Sequence, residues 1–501
     1  MILTHQPDDL KCESADALFL QLKAQLLDDL QAERPLHVLE LGLWRRLLQL
    51  GFALLQWVVQ QLGSGDLGPT VDLPDGRTVR RLPDLYHKRY VSIFGEVHLP
   101  RTAYGTREGQ KIDFVPLDNR LQLPESDFSY VLQDWDQNLC VEQAFGKAAS
   151  VIGRVLDIGQ HVDTLERMNN HMAEHVSDYR DNRPMPDPAD EGEVMVLSAD
   201  GKGVVMRGDD KPKKAHRGKG DKASTKRMAI VGTAYTVDRY VRTPEQVVAA
   251  LFREADSLPT PDRPEPKHKH VWASLPTEHD GQQVSAVDIV YPWLLNEVAE
   301  RNRTLTKPMV CLHDGQESLW EARDRHLPKH NTTDILDLLH VTSRLWQVAH
   351  VFCQEKSAAA EQFARERILK VLQGKSADVV RGLRQMGTKR KLTGTKKKTL
   401  TTLCQYLEKN RERMHYATYL AKGYPIASGV IEGAGRHLVK DRLERAGMHW
   451  RIAGAQAMLD LRSTWINGDW EAYQSYYQQR ETWRLYPHRE VEKGLRFEVA
   501  V

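Results

Sequence analysis

Apolar residues recur at helical spacing in two segments near the start of the chain, 14–33 and 37–62. In the second segment they follow a heptad repeat at Leu41, Trp44, Leu48, Gly51, Leu55, Val58 and Leu62. This repeat predicts either a dimerisation helix or a helix that packs on its own domain, because so short a heptad pattern fits both. A linker rich in Gly, Pro and Asp (63–78) follows, and the β-forming runs at 89–105 predict a hairpin.

Helical spacing returns over residues 127–182, and the segment DIGQ (157–160) interrupts it. Helix, short turn containing Gly, helix is the order of a helix-turn-helix DNA-binding motif. Helical pairs that bind no DNA have the same order, so both interpretations stay open. A Pro- and Asp-rich linker (180–193) ends this region.

Short apolar runs typical of strands begin at residue 194. Strands are predicted at 194–200, 227–237, 269–275 and 307–315, with a helix at 283–302. This order indicates an α/β sheet. Two of the apolar runs lead into an acid followed by Gly, at Asp200 and at Asp314. Open sheets of this class place their ligands at the carboxyl ends of strands.

Two further helical regions are predicted beyond the sheet. The first, at 357–420, interrupts it and has a basic middle. The second, at 428–447, has Ser428 as a plausible N-cap and Gly447 as a plausible stop. Three glycines near the start of the second helix weaken it, which favours close approach by another backbone or by a nucleic acid.

Composition places the chain among globular proteins, with 501 residues, 41% apolar and 28% charged. Its five cysteines form no CxxC pair, which argues against a disulfide framework and against a Cys-rich zinc site. The most apolar stretch, 47–62, is interrupted by four glutamines, so it predicts a soluble helix and not a membrane span. No leader segment is recognisable, and a cytoplasmic location is expected.

The formal charge of +2 by itself argues against a nucleic-acid partner, but it is a cancellation. Residues 1–40 hold eight acids against three basic residues, whereas 202–227 carry ten Lys and Arg against three Asp. Residues 381–398 add eight Lys and Arg with no acid. Such tracts are usually solvated loops, yet beside a candidate site for phosphates they indicate phosphodiester binding.

Three acids are candidates for a divalent-metal site: Asp200 in SADGKG, Asp314 in LHDGQE, and Glu432 in the first turn of the last predicted helix. Carboxylate oxygens are hard ligands that suit Mg²⁺ or Mn²⁺. The alternatives are an Asp that serves only its own turn and an exposed ion pair between Glu432 and Arg436.

Asp337 and His340 are spaced so that they can meet one partner on a helix face. The alternative is a histidine at a core edge with a carboxylate partner. No second histidine stands at ligand spacing from His340, so a zinc hydrolase is disfavoured. No GxSxG segment occurs, which disfavours serine nucleophilic catalysis.

These segments together resemble bacterial insertion-sequence transposases of the DDE class, closest to the Kra-type group, and the core layout is similar to Mutator-type and hAT-type elements. The resemblance runs from about 125 to 470. It is carried by SADGKG (198–203), CLHDGQESLW (311–320), DLLHVTSRLW (337–346) and SGVIEGAGRHLVKDRLERAGMHW (428–450).

The resemblance implies an RNase H-like α/β core interrupted by an all-α insertion, behind a mainly helical N-terminal region with a β-hairpin. The implied regions are a helical pair (1–65), a linker and hairpin module (66–125), a helical region with the helix-turn-helix pattern (126–185), the first part of the core (186–350), the basic insertion (351–424), the last part of the core (425–475) and a tail (476–501).

The resemblance also assigns roles. Asp200, Asp314 and Glu432 become the catalytic, metal-binding triad, with Mg²⁺ or, as a substitute, Mn²⁺. Asp337 and His340 match a supporting D(2)H motif. Relatives often carry a Cys-rich zinc module that this chain lacks, so no zinc is expected. The expected DNA contacts are Lys202, Lys213, Lys214, Arg217, Lys219, Lys389, Arg390, Lys391, Lys396, Lys397, Lys398, Arg436, Lys440, Arg442 and Trp450.

The function implied is that of a two-metal polynucleotidyl transferase that binds the terminal inverted repeats of an element and its target DNA. It would cut the element ends and transfer the strands, acting as at least a homodimer, in the cytoplasm of a bacterium and associated with the nucleoid. Two alternatives remain: another RNase H-like nuclease for repair or junction resolution, and a catalytically silent DNA-binding protein descended from a transposase.

Overall fold

The computed structural model describes residues 15–106, 112–211, 225–254, 262–279, 281–445 and 447–489. These residues form two compact units. Residues up to His175, together with the C-terminal segment from Glu471, form the first unit. Residues from Val176 to Trp470 form the second.

Ten strands and nineteen helices are numbered in chain order within the described residues. The strands are β1 (Thr70–Asp72), β2 (Thr78–Ser92), β3 (Gly95–Gly105), β4 (Val194–Val205), β5 (Lys226–Val237), β6 (Lys267–Ser274), β7 (Thr277–His279), β8 (Gln282–Val284), β9 (Met309–His313) and β10 (Thr332–Leu336). The helices of the first unit are α1 (Ala15–Gln31), α2 (Leu36–Leu62), α3 (Pro116–Leu121), α4 (Tyr130–Glu142), α5 (Phe145–Leu156), α6 (Val162–Ala173) and, from the C-terminal end, α19 (Trp470–Leu485). The helices of the second unit are α7 (Val176–Asn182), α8 (Pro244–Leu251), α9 (Ala286–Arg301), α10 (Glu317–His326), α11 (Leu338–Phe352), α12 (Ala358–Leu372), α13 (Ser376–Lys389), α14 (Gly394–Lys409), α15 (Tyr416–Ala421), α16 (Gly429–Ala434), α17 (Asp441–Leu443) and α18 (Ile452–Ile466).

The predicted hairpin is confirmed and is longer than its sequence signal, because β2 and β3 pair in antiparallel register and β1 adds a third strand. Some residues of the α2 heptad repeat pack within the first unit, and others are exposed to solvent. Leu48 packs in a cluster with residues of the hairpin and of α4 and α5, and the ring of Phe94 covers Gly51. Leu41, Trp44 and Val58 stay largely exposed. None of the described helices is long and apolar enough to span a lipid bilayer.

Helices α5 and α6 are joined by a short turn, as the sequence predicts. The turn begins at Asp157, which adopts a left-handed conformation with φ of 59° and so ends α5. The buried residues of α6 are Leu165, Met168, Asn169 and Met172. The helical order is therefore confirmed, while DNA binding by these helices stays a prediction.

A five-stranded mixed sheet forms the centre of the second unit, with strand order β10-β9-β4-β5-β6. The first three strands in sequence, β4, β5 and β6, are antiparallel neighbours, whereas β9 and β10 run parallel to β4. A mixed α/β architecture is therefore present, and its strand order is compatible with an RNase H-like core.

Alternate side chains of β4 contribute to two hydrophobic cores, one on each face of the sheet. Val194 and Val196 join a core with α11 and the helical insertion α12–α15, whereas Met195 and Leu197 face a second core built on α9. Successive side chains of a strand point to opposite faces, so a continuous apolar run marks a strand buried on both sides. Helices α12–α15 lie where the sequence predicts a helical insertion, and they pack on one face of the sheet.

Three boundaries differ from those that the sequence predicts. Strand β4 does not end at Asp200 but continues to Val205, because its whole length pairs with β5. The helix predicted at 428–447 is instead α16, a π-helical segment (Gly435–Lys440) and α17, and it ends at Leu443. The segment predicted as a tail from residue 476 is helical as far as Leu485.

Candidate active site

Asp200 and Asp314 come level with each other on neighbouring strands near the middle of the sheet. The parallel register pairs Leu197 of β4 with Cys311 of β9, and each acid lies three residues further along. Backbone amides hold both carboxylates: the amide of the next residue donates to Asp200 at 2.7 Å, and the amide two residues on donates to Asp314 at 2.8 Å. The sequence predicted two acids at adjacent strand ends, and the structure brings the two together.

Glu432 reaches the same place from α16. This helix begins after Ser428, whose side chain accepts a hydrogen bond from the amide of Ile431 at 3.4 Å, as expected for an N-cap. Helix α16 packs against β4 and β5, which directs its first turn toward Asp200. The side chain of Glu432 is 42% exposed, so solvent reaches this side of the site.

A lysine ammonium connects the two acids that come from different elements. The Nζ of Lys202 lies 2.6 Å from Oδ2 of Asp200 and 3.5 Å from Oε2 of Glu432. Burial lowers the pKa of Lys202, but these two ion pairs outweigh that effect and raise it above its ordinary value. Sequence reasoning assigned Lys202 to DNA contact and did not foresee its place between the acids.

The pKa of Asp314 responds to the other acidic groups of the site. Burial, reinforced by the negative charges of Asp200 and Asp337, raises its pKa above the ordinary value, although the amide of Gln316 and the side chain of His340 oppose the rise. A bound cation would relieve this repulsion. Three carboxylates are hard oxygen ligands, so the donor set fits Mg²⁺ or Mn²⁺.

Asp337 and His340 lie beside the three acids, as their spacing predicts. Asp337 is buried and caps α11 by accepting from the amide of Leu339 at 2.7 Å. Nδ1 of His340 lies 3.6 Å from Oδ2 of Asp337. The Asp337 carboxylate, joined by Asp314 and Glu432, raises the pKa of His340 despite the lowering effect of burial. The raised pKa favours the charged form of His340 at the rim of the site.

His313 is a residue of the site that sequence reasoning missed. Its Nδ1 accepts a hydrogen bond from the amide of Ala199 at 3.1 Å, and its Nε2 lies 3.2 Å from the hydroxyl of Tyr291. Burial lowers the pKa of His313 to about 3, so the ring is neutral near neutral pH. Ala199 and His313 directly precede the two aspartates, so this bond ties β4 to β9 beneath them. The available signal was one polar residue at the end of an apolar strand.

A cavity of about 530 Å³ opens beside Glu432. Its lining includes the basic side chains of Lys202, Arg436 and Lys440. Arg436 and Lys440 are exposed on the π-helical segment, as a contact to a DNA phosphate requires. The cavity therefore joins Glu432 to a largely basic surface.

Arg442 and Trp450, by contrast, lie in the interior. Arg442 is 0% exposed and Trp450 is 9% exposed. The indole Nε1 of Trp450 donates to the carbonyl oxygen of Leu443 at 3.2 Å, and the guanidinium of Arg442 lies 5.1 Å from the centre of the indole ring. Both side chains hold the end of the Glu432 region on the sheet, so neither faces DNA in this conformation, contrary to the expectation from the sequence.

The helical insertion reaches the loop that carries Asp314. The ring of Tyr406 on α14 lies so close to Gly315 that a Cβ at that position would overlap it, which accounts for the glycine. Lys409 forms an ion pair with Glu317 at 2.8 Å, and the Arg413 guanidinium stacks 4.1 Å from the ring of Trp320. The insertion therefore supports one wall of the site.

The other predicted DNA contacts divide into two groups. The basic residues of the insertion are exposed, at Lys389, Arg390, Lys391, Lys396, Lys397 and Lys398. Four residues predicted on the basic loop lie outside the described residues, at Lys213, Lys214, Arg217 and Lys219.

One group of three ligand-type side chains in the described residues has all its ligand atoms within 4.8 Å of one another. It consists of Glu125, His171 and Glu481 in the first unit. The arginine of α19, Arg484, already bridges the two glutamates of this group. The carboxylates of Asp200, Asp314 and Glu432 are spread more widely, with the ammonium of Lys202 between two of them.

Known proteins offer few likenesses to this chain. No protein-family model matches it, and no curated protein does. One solved structure that aligns is the Drosophila P element transposase strand transfer complex, at 11% identity over 72% of this chain and 82% of that chain. Its TM-score is 0.23, a likeness too low to carry an argument about function.

Proposed function

We propose that this protein is a DDE transposase of an insertion sequence, which cuts DNA at the ends of its element and joins the ends to target DNA with the help of Mg²⁺. The observation that carries the proposal is the convergence of Asp200, Asp314 and Glu432 from two parallel strands and a later helix. A sheet whose strand order is compatible with an RNase H-like core, the neighbouring pair Asp337 and His340, and a cavity beside Glu432 with basic side chains in its lining add to it.

Each group of the chain has a part in this proposal. Asp200, Asp314 and Glu432 would hold the metal ions, which supply activation of the attacking water or 3′-hydroxyl and stabilisation of the leaving oxygen. Backbone amides keep the two aspartates in place, and the Asp337 carboxylate lies 3.6 Å from Nδ1 of His340 beside them. Arg436 and Lys440 would bind backbone phosphates, which positions the strand without reading its sequence.

The N-terminal unit and the insertion would contribute DNA affinity. Pairing two element ends requires at least two copies of the chain, and the exposed apolar residues of α1 and α2 offer a surface for a dimer. A cytoplasmic, nucleoid-associated location follows from the same proposal.

The test uses DNA duplexes taken from both flanks of the coding region and incubated with Mg²⁺ or with EDTA. Wild-type protein should nick the duplex ends and join them to a second DNA. Asp200→Asn, Asp314→Asn and Glu432→Gln should each lose both reactions, because the ligand charge is lost while the side-chain shape is kept. Binding in a mobility-shift assay should stay within about twofold, since phosphate contacts dominate affinity.

The matched control is Glu355→Gln, an exposed glutamate after α11 that should keep full activity. Cleavage without strand joining would favour the nuclease alternative. Binding without any Mg²⁺-dependent reaction by the wild-type protein would favour the silent DNA-binding alternative. Full cleavage by Asp314→Asn would contradict the triad.

A further inference from the structure

Lys202 lies in the position from which a cation can bridge two acids of the proposed metal site. It is two residues after Asp200 on the same strand, so both side chains point to one face of the sheet. Its ammonium lies 2.6 Å from Asp200 and 3.5 Å from Glu432, and its side chain is only 12% exposed. A lysine confined in this way differs from a mobile surface lysine that is free to contact a DNA phosphate.

The surrounding backbone makes room for this position of the lysine. A Cβ on Gly435 would overlap the Cε of Lys202 and press against its Cγ and Cδ as well. Gly435 begins the π-helical segment that follows α16, and such segments occur often at functional sites. The missing side chain at residue 435 thus forms part of the lysine's pocket.

A divalent ion and this ammonium compete for the same ligands. Mg²⁺ needs its oxygen ligands at about 2.0–2.1 Å in near-octahedral geometry, so an ammonium on the same Asp200 oxygen must leave when the ion binds. The two positive charges also repel each other at such distances. The cavity that Lys202 lines together with Arg436 and Lys440 provides space for the displaced side chain.

We propose that Lys202 is an internal cation that keeps Asp200 and Glu432 together until a divalent ion displaces it. Lys202 is in this sense a positioning residue for metal loading, and the inference rests on the proposed function. The lysine blocks the site for part of the time. The apparent metal affinity of the wild-type protein is therefore the affinity of the open site multiplied by the fraction of time that the site is open.

The experiment measures Mn²⁺ binding to the full-length protein without DNA, by titration calorimetry and by electron paramagnetic resonance of free Mn²⁺. Lys202→Met keeps the length of the side chain and removes its charge, and it should tighten Mn²⁺ binding by about tenfold, the value for a site open one-tenth of the time. Gly435→Ala keeps the charge but takes the lysine's space, and it should tighten binding in the same direction. This second variant keeps the test valid if Lys202→Met folds poorly.

The control is Lys267→Met. This substitution breaks another lysine–aspartate pair, the 2.9 Å contact with Asp238, and should leave Mn²⁺ affinity unchanged. Unchanged or weaker Mn²⁺ binding in both Lys202→Met and Gly435→Ala overturns the internal-cation proposal. Failure of the proposed metal site itself would differ, since Asp200→Asn and Asp314→Asn would then bind Mn²⁺ as the wild-type protein does.

Discussion

At the scale of single residues, His313 links the two strands that lead into Asp200 and Asp314. A neutral imidazole that accepts from the amide of Ala199 on one side and faces the Tyr291 hydroxyl on the other has a single tautomer, with the proton on Nε2. Its low pKa means that it does not change charge near neutral pH. We interpret His313 as a fixed hydrogen-bonding group that positions Asp200 and Asp314.

Replacement of His313 by Leu should therefore lower both stability and cleavage. The variant leaves the buried amide of Ala199 without an acceptor, which costs about 1–3 kcal/mol of unfolding free energy. His313→Gln offers a carbonyl oxygen to the same amide and should recover part of both losses. Urea unfolding and Mg²⁺-dependent cleavage measure the two effects. Wild-type stability in His313→Leu would show that this bond does not position the aspartates.

At the scale of elements, the start of α14 is electrostatically unfavourable for a helix. Lys396, Lys397 and Lys398 all lie in its first turns and are exposed, where the partial positive charge of the helix N-terminus repels cations. A binding partner of opposite charge would account for exposed residues that weaken their own helix. Under the proposed function this partner is DNA.

Replacing these three lysines together by Ala should separate stability from binding. We expect the unfolding free energy to rise slightly, by about 0.3–1 kcal/mol per lysine at low salt. DNA affinity should fall, and the slope of its dependence on salt should become shallower by up to about 0.9 for each phosphate that the variant no longer binds. Filter binding at several salt concentrations and thermal unfolding measure the two changes.

The matched control replaces Lys356, Lys370 and Lys375 by Ala, since it removes the same charge from the same helical region. Equal losses of DNA affinity in both triple variants would indicate only a general charge effect. An unchanged salt slope in the α14 variant would show that its lysines do not bind phosphates.

The elements themselves differ in how far the sequence predicts them. Apolar runs identify β4, β5, β6 and β9, because burial on both faces leaves a continuous signal. The predicted end of β4 is wrong, since the polar residues after Asp200 belong to a strand held by pairing with β5, an interaction that local sequence does not encode. The sequence does not predict the π-helical segment either, and its first residue, Gly435, packs against the distant side chain of Lys202, a contact that local sequence does not encode.

The candidate site likewise contains residues that local sequence predicts and residues whose positions depend on distant contacts. The three acids were predictable because each stands out against its own strand or helix start. The positions of Lys202, His313 and Tyr406 were not, since each depends on a partner more than 90 residues away, as in the contact of His313 with Ala199. Likewise, the burial of Trp450 depends on its pairing with Met206 and could not be read from the motif alone.

At the scale of the molecule, helix α19 near the C-terminal end belongs to the same compact unit as the N-terminal helices. Glu481 of this helix is 1% exposed on its side chain and lies 3.0 Å from Nε2 of His171, 3.1 Å from Nε2 of His175 and 2.7 Å from Arg484. Burial alone would raise the pKa of Glu481, but these partners lower it well below its ordinary value. The hydrogen bond to Glu481 in turn raises the pKa of His171.

These two pKa shifts predict the pH range in which the ion pairs of Glu481 hold α19 most firmly against α6. Because the pKa of Glu481 is lowered on folding, its contribution is full above its ordinary pKa of 4.5 and is lost as the pH falls through the folded value. The pKa of His171 is raised, so its contribution is full below the ordinary value of 6.5 and is lost as the pH rises through the folded value. Attachment should thus be strongest between about pH 4.5 and 6.5.

Hydrogen exchange of the full-length protein, followed in peptides of α6 and α19, measures this attachment without assuming that both units unfold together. Glu481→Gln should speed exchange in both helices, corresponding to a loss of about 3 kcal/mol, and should remove the pH dependence contributed by this network. Glu174→Gln is the matched control, because Glu174 meets the same His171 at 3.6 Å but is 64% exposed, and exposed pairs contribute little. The same pH profile in wild-type protein and Glu481→Gln would mean that the interaction is a structural packing contact whose charges do not matter to the first unit.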